Sequence, residues 1–350
     1  MRNRDASGIF RRMSQPTPTI SGAAAPRAPR VAHDGAVLAR APGSIGNIGP
    51  GIDILGCAIT DLYDEVHAQR RDAAGITVAD PGHSELPRDA GAHASAIAAA
   101  EVLRLARAED VGIELRVRKG LPLSGGQGGS AASAVAGAAA ANALLGQPLE
   151  PLGVLRAALE AEAHVAGRHA DNVAPALLGG VVLVHGIDPL DVVRIPFPAS
   201  LRVILVHPAQ RLRTADARVV LPRTLDRGLA LRQAAHIAAM VAAFTSGDLQ
   251  LLRRALRDEI AEPARASLLT GFVEARDAAL TSGAIGCSIS GAGPTSFAFA
   301  ADDASALGIA SAMVAAYRRA GVEASSRVAR IDEQGAQVQR AERIDVEEAR

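Results

Sequence analysis

The stretch Leu121-Pro122-Leu123-Ser124-Gly125-Gly126-Gln127-Gly128-Gly129-Ser130-Ala131-Ala132-Ser133 constrains this chain more than any other, because its glycines run straight into a helix-forming segment. Upstream, Val111 to Arg118 alternates apolar Ile113, Leu115 and Val117 with polar Glu114, Arg116 and Arg118, the pattern of a half-buried strand. Downstream, Ser130 to Leu145 is almost all alanine, and Gly146 with Pro148 stops it. A strand, a glycine loop and a helix in that order set unpaired backbone N–H groups and the positive end of a helix dipole beside residues without Cβ atoms. Such a unit binds phosphate.

Two better-known phosphate motifs compete for the loop. A P-loop is excluded, since no Lys-Ser or Lys-Thr pair follows the glycines and Lys119, the only lysine, precedes them. The dinucleotide fingerprint matches by letters at Gly126 to Ala131, with Glu150 near the spacing of a ribose-binding acid. However, Leu152, Leu155 and Leu159 recur at helical spacing where that fold needs a strand. A plain glycine-rich connection is the bland alternative.

A chain of 350 residues, 49% of them hydrophobic, holds one large or two ordinary domains with a sizeable core. Formal net charge is zero, with two tyrosines, six phenylalanines and no tryptophan, so neither a basic stripe nor a stacking platform supports nucleic-acid binding. Cys57 and Cys287 lie in apolar surroundings far apart in sequence and read as reduced core thiols of a cytoplasmic protein. Residues 1–35 carry Arg2, Arg4, Arg11, Arg12, Arg27 and Arg30 among prolines without an apolar period, which predicts a disordered basic tail and not a secretory signal. No run is apolar for long enough to span a membrane, so no membrane partner is expected.

Strands are predicted near Val37–Arg40, Asp64–Gln69, Ile113–Arg118, Val181–His185, Val203–His207, Gly286–Ser290 and Ser296–Ala300. Helices are predicted at Ala94–Ala108, Ser130–Leu145, Leu152–Val165, Leu229–Thr245, Leu249–Ala255 and Ala304–Arg319, an α+β pattern. Gly186–Pro198, with three prolines, reads as the domain boundary. Domains are accordingly expected at 36–190 and 191–335, with a C-terminal tail at 336–350.

Five further segments carry groups suited to chemistry. Arg40 to Gly56 leaves a strand and packs glycines around Asn47 and Asp53, although such residues also make ordinary turns. Glu160 to Pro175 ends a helix with Glu160 and Glu162 and continues through His164, His169, Asp171 and Asn172. One well-placed glutamate suffices for a nucleotide-bound magnesium ion; a solvated helix face is the alternative for Glu162, and a zinc reading of Glu162, His164 and His169 matches no known spacing. Arginines follow at Thr214-Ala215-Asp216-Ala217-Arg218 and Asp258 to Arg265, and Ser290-Gly291-Ala292-Gly293-Pro294-Thr295 lies between two apolar strands like a hairpin turn.

Taken in order, these segments resemble the GHMP small-molecule kinases, and among them the homoserine kinases, over about residues 36–320. The motifs are N-x-G-x-G-x-D at Asn47–Asp53, P-L-x-x-G-x-G-x-S-A-A-S at Pro122–Ser133, H-x-D-N-V-A-P-A at His169–Ala176, T-x-x-x-R at Thr214–Arg218 and S-G-A-G-P-T at Ser290–Thr295. The resemblance implies a two-domain α+β fold: a ribosomal-protein-S5-like N-terminal domain and a ferredoxin-like C-terminal domain, with ATP and acceptor between them. It also implies transfer of the ATP γ-phosphoryl group to the side-chain hydroxyl of L-homoserine, on the way to threonine. It leaves a homodimer open.

Under that resemblance, Pro122, Leu123, Ser124, Gly125, Gly126, Gln127, Gly128, Gly129, Ser130, Ala131 and Ala132 wrap the phosphates, while Ser130 and Glu162 hold Mg²⁺. The zwitterionic acceptor needs charges of both signs; Arg218 and Arg265 meet its carboxylate, Asp53 with Asn47 its ammonium, and His169 and Asn172 orient its reacting end. Glu162 and Asn172 are thus the expected catalytic pair, and no general base is assigned. The chain departs from the more usual G-S-G-L-G-S-S at Ser124, Gly125 and Gly129. Gly129 is expected to need positive φ, with Ser124 or Gln127 replacing the missing serine contact. Rival readings are a mevalonate- or shikimate-type kinase and a catalytically silent, ligand-binding relative.

Overall fold

In the computed structural model, which describes residues 19–20 and 35–344, two sheets organise the chain. The larger runs β1(Thr19–Ile20), β7(Leu190–Ile195), β6(Val181–Ile187), β3(Leu55–Arg71), β2(Ala36–Gly46) and β12(Gln337–Ala341), all antiparallel. β5(Gly112–Arg118) joins the far half of β3 antiparallel, and β4(Gly75–Asp80) lies parallel to β5. Inward-facing Val37, Ala39, Val66, Ala68, Ile113 and Leu115 form one core with α1(Ala94–Leu105), α2(Gly129–Leu144), α3(Pro151–Val165) and α4(Val173–Leu178).

α2 lies at the centre of that core and is buried nearly all round, which explains its composition. Its small side chains let α1 approach so closely that a Cβ on Gly137 would come within 2.2 Å of Ser95 O.

The smaller sheet has the order β11(Ala324–Ala329), β8(Arg202–Pro208), β10(Ser296–Ala300), β9(Gly286–Ile289), entirely antiparallel. With α9(Phe272–Thr281) before β9 and α10(Asp303–Arg319) before β11, this is the β-α-β-β-α-β ferredoxin-like arrangement. Four helices are inserted after β8: α5(Thr214–Val219), α6(Arg227–Ser246), α7(Leu249–Ala255) and α8(Ala261–Ala266). Strand alternation divides the sheet between two cores. Ile204, Val206, Ala298 and Ala300 pack on α9 and α10, while Val203, Leu205, Phe297 and Phe299 pack with Ile45, Leu55, Ile59 and Val181 of the larger sheet. The two domains therefore share a core.

Two expectations are corrected. Gly186–Pro198, expected as the domain boundary, largely belongs to the larger sheet: Leu190, Val192 and Ile195 are buried and β7 pairs with β6 as a hairpin, so residues 191–195 go with the first domain. The stretch 336–350 is not simply a tail, because β12 pairs with β2 and covers what would otherwise be a sheet edge. Of the arginine-rich first 35 residues, β1 pairs with β7; residues 1–18 and 21–34 lie outside the described residues, as do 345–350. Cys57 and Cys287 are buried free thiols. Among the described residues, no helix is long and apolar enough to cross a membrane.

Candidate active site

Between β5 and α2 the glycine loop borders a cleft of about 800 Å³, which Asn47, Glu162, His169, Arg218 and Arg265 also line. Gly126 and Gly128 both have φ +69°, and a Cβ would lie 2.6 Å from Ser290 O on the first and 2.0 Å from Ser44 Oγ on the second. The loop carbonyls are held from behind. Gly125 O accepts from Thr295 Oγ1 at 2.5 Å, Gly126 O from Ser290 Oγ at 2.6 Å, Gln127 O from Ser44 N at 3.1 Å and Gly129 O from Lys119 Nζ at 3.1 Å. Across a trans peptide the next N–H points the opposite way, so Gly126, Gln127, Gly128 and Ser130 turn their N–H groups from the scaffold, and Gly126, Gly128 and Ser130 line the cleft. They join the N-terminus of α2, which has no side-chain cap. The loop is an anion cradle by construction.

The structure revises the loop's departures from the family pattern. Gly129 opens α2 without positive φ, and a Cβ there would meet Pro122 O at 3.4 Å, an ordinary contact. Gln127 is buried and turned away, its amide donating to Thr295 Oγ1 at 3.3 Å and accepting from Arg327 Nη2 at 2.9 Å. Its side chain therefore replaces no phosphate contact. Ser124 is exposed on the cleft and adopts φ 51°.

Ser130 Oγ donates to Glu162 Oε1 at 3.1 Å, and Glu162 Oε2 is buried without a hydrogen-bond partner. Burial, aided by the neighbouring charge of Asp171, pushes the Glu162 carboxyl up to about 7. A buried carboxylate with a free oxygen beside a hydroxyl and the phosphate cradle is a hard-oxygen donor set that suits Mg²⁺. The solvated-face alternative for Glu162 fails, since the residue is only 6% exposed. His164 is exposed on the last turn of α3, and among the described residues no three His, Cys, Asp or Glu side chains are grouped to hold a metal.

At the other side, Asn47 (φ 55°) and Asp53 (φ 57°) shape the glycine-rich turn after β2. The Asn47 amide accepts from Asp53 N at 2.8 Å and donates to Gly291 O at 3.0 Å, so it closes the turn and locks it to the second domain. Asp53 receives Arg218 Nη2 at 2.9 Å and lies 3.1 Å from His169 Nδ1. Burial raises its pKa, but these two partners outweigh burial and hold the carboxyl well below the usual range. Arg218 and Asp53, expected at opposite ends of the acceptor, thus form one ion pair, with Arg218 Nε left buried and unpartnered. Arg265 is 2% exposed and donates to Ala217 O and Gly291 O, both at 3.0 Å and both neutral. Asn172 also lines the cleft and accepts from Ser44 Oγ at 2.9 Å.

Two groups to which the motifs assigned no role also belong to the site. Asp171, within the His169–Ala176 motif, is buried and accepts from Asn47 N at 2.8 Å; burial and the charge of Asp53 push it up to about 6. Asp64 of β3 is fully buried and accepts from Gly120 N at 3.1 Å, Leu121 N at 3.2 Å and Ser133 Oγ at 2.6 Å, and from Lys119 Nζ in an ion pair. Lys119 also donates to Ser133 Oγ at 2.9 Å. Asp64 and Lys119 clasp the two ends of the phosphate loop. The lone lysine was the available signal; its partner, a strand residue distant in sequence, carried none.

The two-domain fold with this cradle at the domain junction matches the family models for the GHMP kinases N terminal domain, at residues 82–180, and GHMP kinases C terminal, at residues 240–319. The chain belongs to the GHMP kinases. Its relatives include the homoserine kinase of Chlorobium phaeobacteroides strain DSM 266, 41% identical over 79% of this chain and 90% of that protein. Another is that of Xanthomonas campestris pv. campestris strain B100, 39% identical over 85% of this chain and 92% of that protein. The crystal structure of homoserine kinase from Cytophaga hutchinsonii ATCC 33406 superposes with a TM-score of 0.84 at 37% identity, covering 89% of this chain and 99% of that one.

Proposed function

We infer that the chain is a homoserine kinase, transferring the ATP γ-phosphoryl group to the side-chain hydroxyl of L-homoserine to give O-phospho-L-homoserine and ADP. The relatives' common name supports this, and one observation carries the substrate class: the cleft of the anion cradle is also lined by Arg218 and His169, both paired with Asp53, and by a buried Arg265 bonded only to neutral oxygens. Charges of both signs at one place suit an acceptor with ammonium and carboxylate on one carbon. A mevalonate-type acid has no ammonium for Asp53.

The N–H groups of 126–128 and 130 hold the phosphates, and Leu86, Pro87, Ala92 and Leu123 give the cleft an apolar wall for the nucleobase. Ser130 and Glu162 hold Mg²⁺, which supplies neutralisation of charge on the phosphoryl oxygens when bound. Arg265 and Arg218 take the acceptor's carboxylate and Asp53 its ammonium, while His169 fixes the orientation of Asp53. The substrate hydroxyl oxygen then bonds to phosphorus as the bond to the ADP oxygen breaks, and the hydroxyl proton is released. Transfer through a loose transition state relies on positioning and charge, which this framework provides without a dedicated base.

A coupled ADP-release assay over homoserine, mevalonate, shikimate and serine tests the reading. Turnover with homoserine is expected; turnover with mevalonate or shikimate and none with homoserine would overturn the substrate and leave the family.

A further inference from the structure

We propose that Arg327, on β11 of the second domain, is a positioning residue for the phosphate loop of the first, acting through Gln127. The proposal rests on the reading of that loop as the nucleotide site. Arg327 Nη1 donates to Thr60 O at 2.7 Å and Nη2 to Gln127 Oε1 at 2.9 Å. The other end of the Gln127 amide reaches Thr295 Oγ1 at 3.3 Å, and that hydroxyl donates to Gly125 O at 2.5 Å. His207 Nδ1 lies 2.9 Å from the same oxygen. A hydroxyl has one proton and two lone pairs, so one donation and two acceptances saturate Thr295 and set His207 as the Nδ1–H form. The result is one continuous row of hydrogen bonds, Arg327 to Gln127 to Thr295 to Gly125.

Three neighbouring strands of the small sheet build this row. His207 stands on β8, Arg327 on the adjacent β11, and Thr295 immediately before β10 on the other side. The row meets the loop where it is weakest, because Gly125, Gly126, Gly128 and Gly129 leave Gln127 as the only side chain between Ser124 and Ser130. Unbraced, such a run would lose much conformational freedom on closing around an anion. Arg327 removes part of that freedom in advance, through a charge-assisted bond to the one side chain available. Both oxygens it donates to are neutral, and the charge of Asp61 acts on its guanidinium.

The test measures ADP binding by calorimetry without Mg²⁺ or homoserine, alongside steady-state kinetics. If the unaltered protein does not bind ADP, the nucleotide reading itself fails. If it does, Arg327→Met should weaken ADP binding and raise the ATP KM by roughly tenfold, the loss of one charge-assisted hydrogen bond. Homoserine KM and kcat at saturating ATP should stay within about twofold. Gln127→Leu should weaken ADP binding as well, and the double variant should bind no more weakly than Arg327→Met alone. Arg327→Gln, which keeps a neutral donor, should fall between the parent and Arg327→Met and serves if the methionine variant does not fold. ADP binding within about twofold of the parent in the Arg327 variants, equal rises in both KM values, or losses that multiply in the double variant would each overturn the proposal.

Discussion

Introducing serine at Gly128 and at Gly129 should have opposite consequences, although the two glycines are adjacent. Gly128 has φ +69°, and its Cβ would lie 2.0 Å from Ser44 Oγ and 3.1 Å from Asn172 Oδ1. A left-handed conformation costs a residue with a Cβ about 1–2 kcal/mol. Ser44 cannot move aside freely, since it is fully buried, its Oγ donates to Asn172 at 2.9 Å and its N–H holds Gln127 O at 3.1 Å. Breaking one of those bonds adds about 0.5–1.5 kcal/mol. Gly128→Ser should therefore destabilise the fold by roughly 1.5–3.5 kcal/mol. At Gly129 the φ is ordinary and the new Cβ would meet Pro122 O at 3.4 Å, Lys119 Nζ at 3.5 Å and Leu121 Cβ at 3.6 Å, all normal contacts. There the stiffer unfolded chain should leave Gly129→Ser neutral or up to about 1 kcal/mol more stable. Its hydroxyl, on the first residue of α2, should tighten ATP binding or leave it unchanged. Urea unfolding without nucleotide, with ATP KM measured in parallel, decides the matter. A loss above about 1 kcal/mol for Gly129→Ser, or parental stability for Gly128→Ser, would refute this account of the loop backbone.

Three other perturbations probe the site. Glu162→Gln should lose most activity and keep the fold; the native carboxyl, lifted to about 7, retains a proton that the unfolded chain releases near 4.5, so this group makes the metal-free protein less stable as pH rises across that interval. Unfolding at pH 5, 6 and 7 should show a flatter slope in the glutamine variant, and an unchanged slope would contradict the burial argument. Arg265→Ala should weaken homoserine binding by about 2–5 kcal/mol with little change in ATP KM, whereas equal losses for both substrates would show that it serves the fold alone. Lys119→Met should cost about 3–5 kcal/mol by leaving Asp64 buried without its counter-ion, and adding Asp64→Asn should recover part of that loss; additive losses would mean that the two residues act independently.

Local pattern made much of this protein legible. The alternation before Arg118 and the alanine run after Gly129 place β5 and α2 within about a residue of where they occur, because period and propensity are properties of neighbouring residues. Of the residues those motifs single out, Ser130, Glu162, His169, Arg218 and Arg265 line one cleft, and Asp53 pairs with two of them, His169 and Arg218. Strands whose stability comes from a partner were missed or shortened: β12 is mostly exposed and exists through pairing with β2, and β3 continues well beyond its alternating core.

What the sequence by itself determined was the identity of the phosphate-binding unit and the family it belongs to, since those reside in short ordered motifs. Tertiary structure alone decided which groups face each other. It joined Asp53 to Arg218 across 165 positions and Arg327 to Gln127 across 200. It set positive φ at Gly128 and not at Gly129, and it put Ser44 Oγ within 2.0 Å of a Cβ on the first but left 3.4 Å to Pro122 O on the second. Hydrogen-bond partners and close contacts depend on distances that only the folded chain defines, and the sequence lists residues without them.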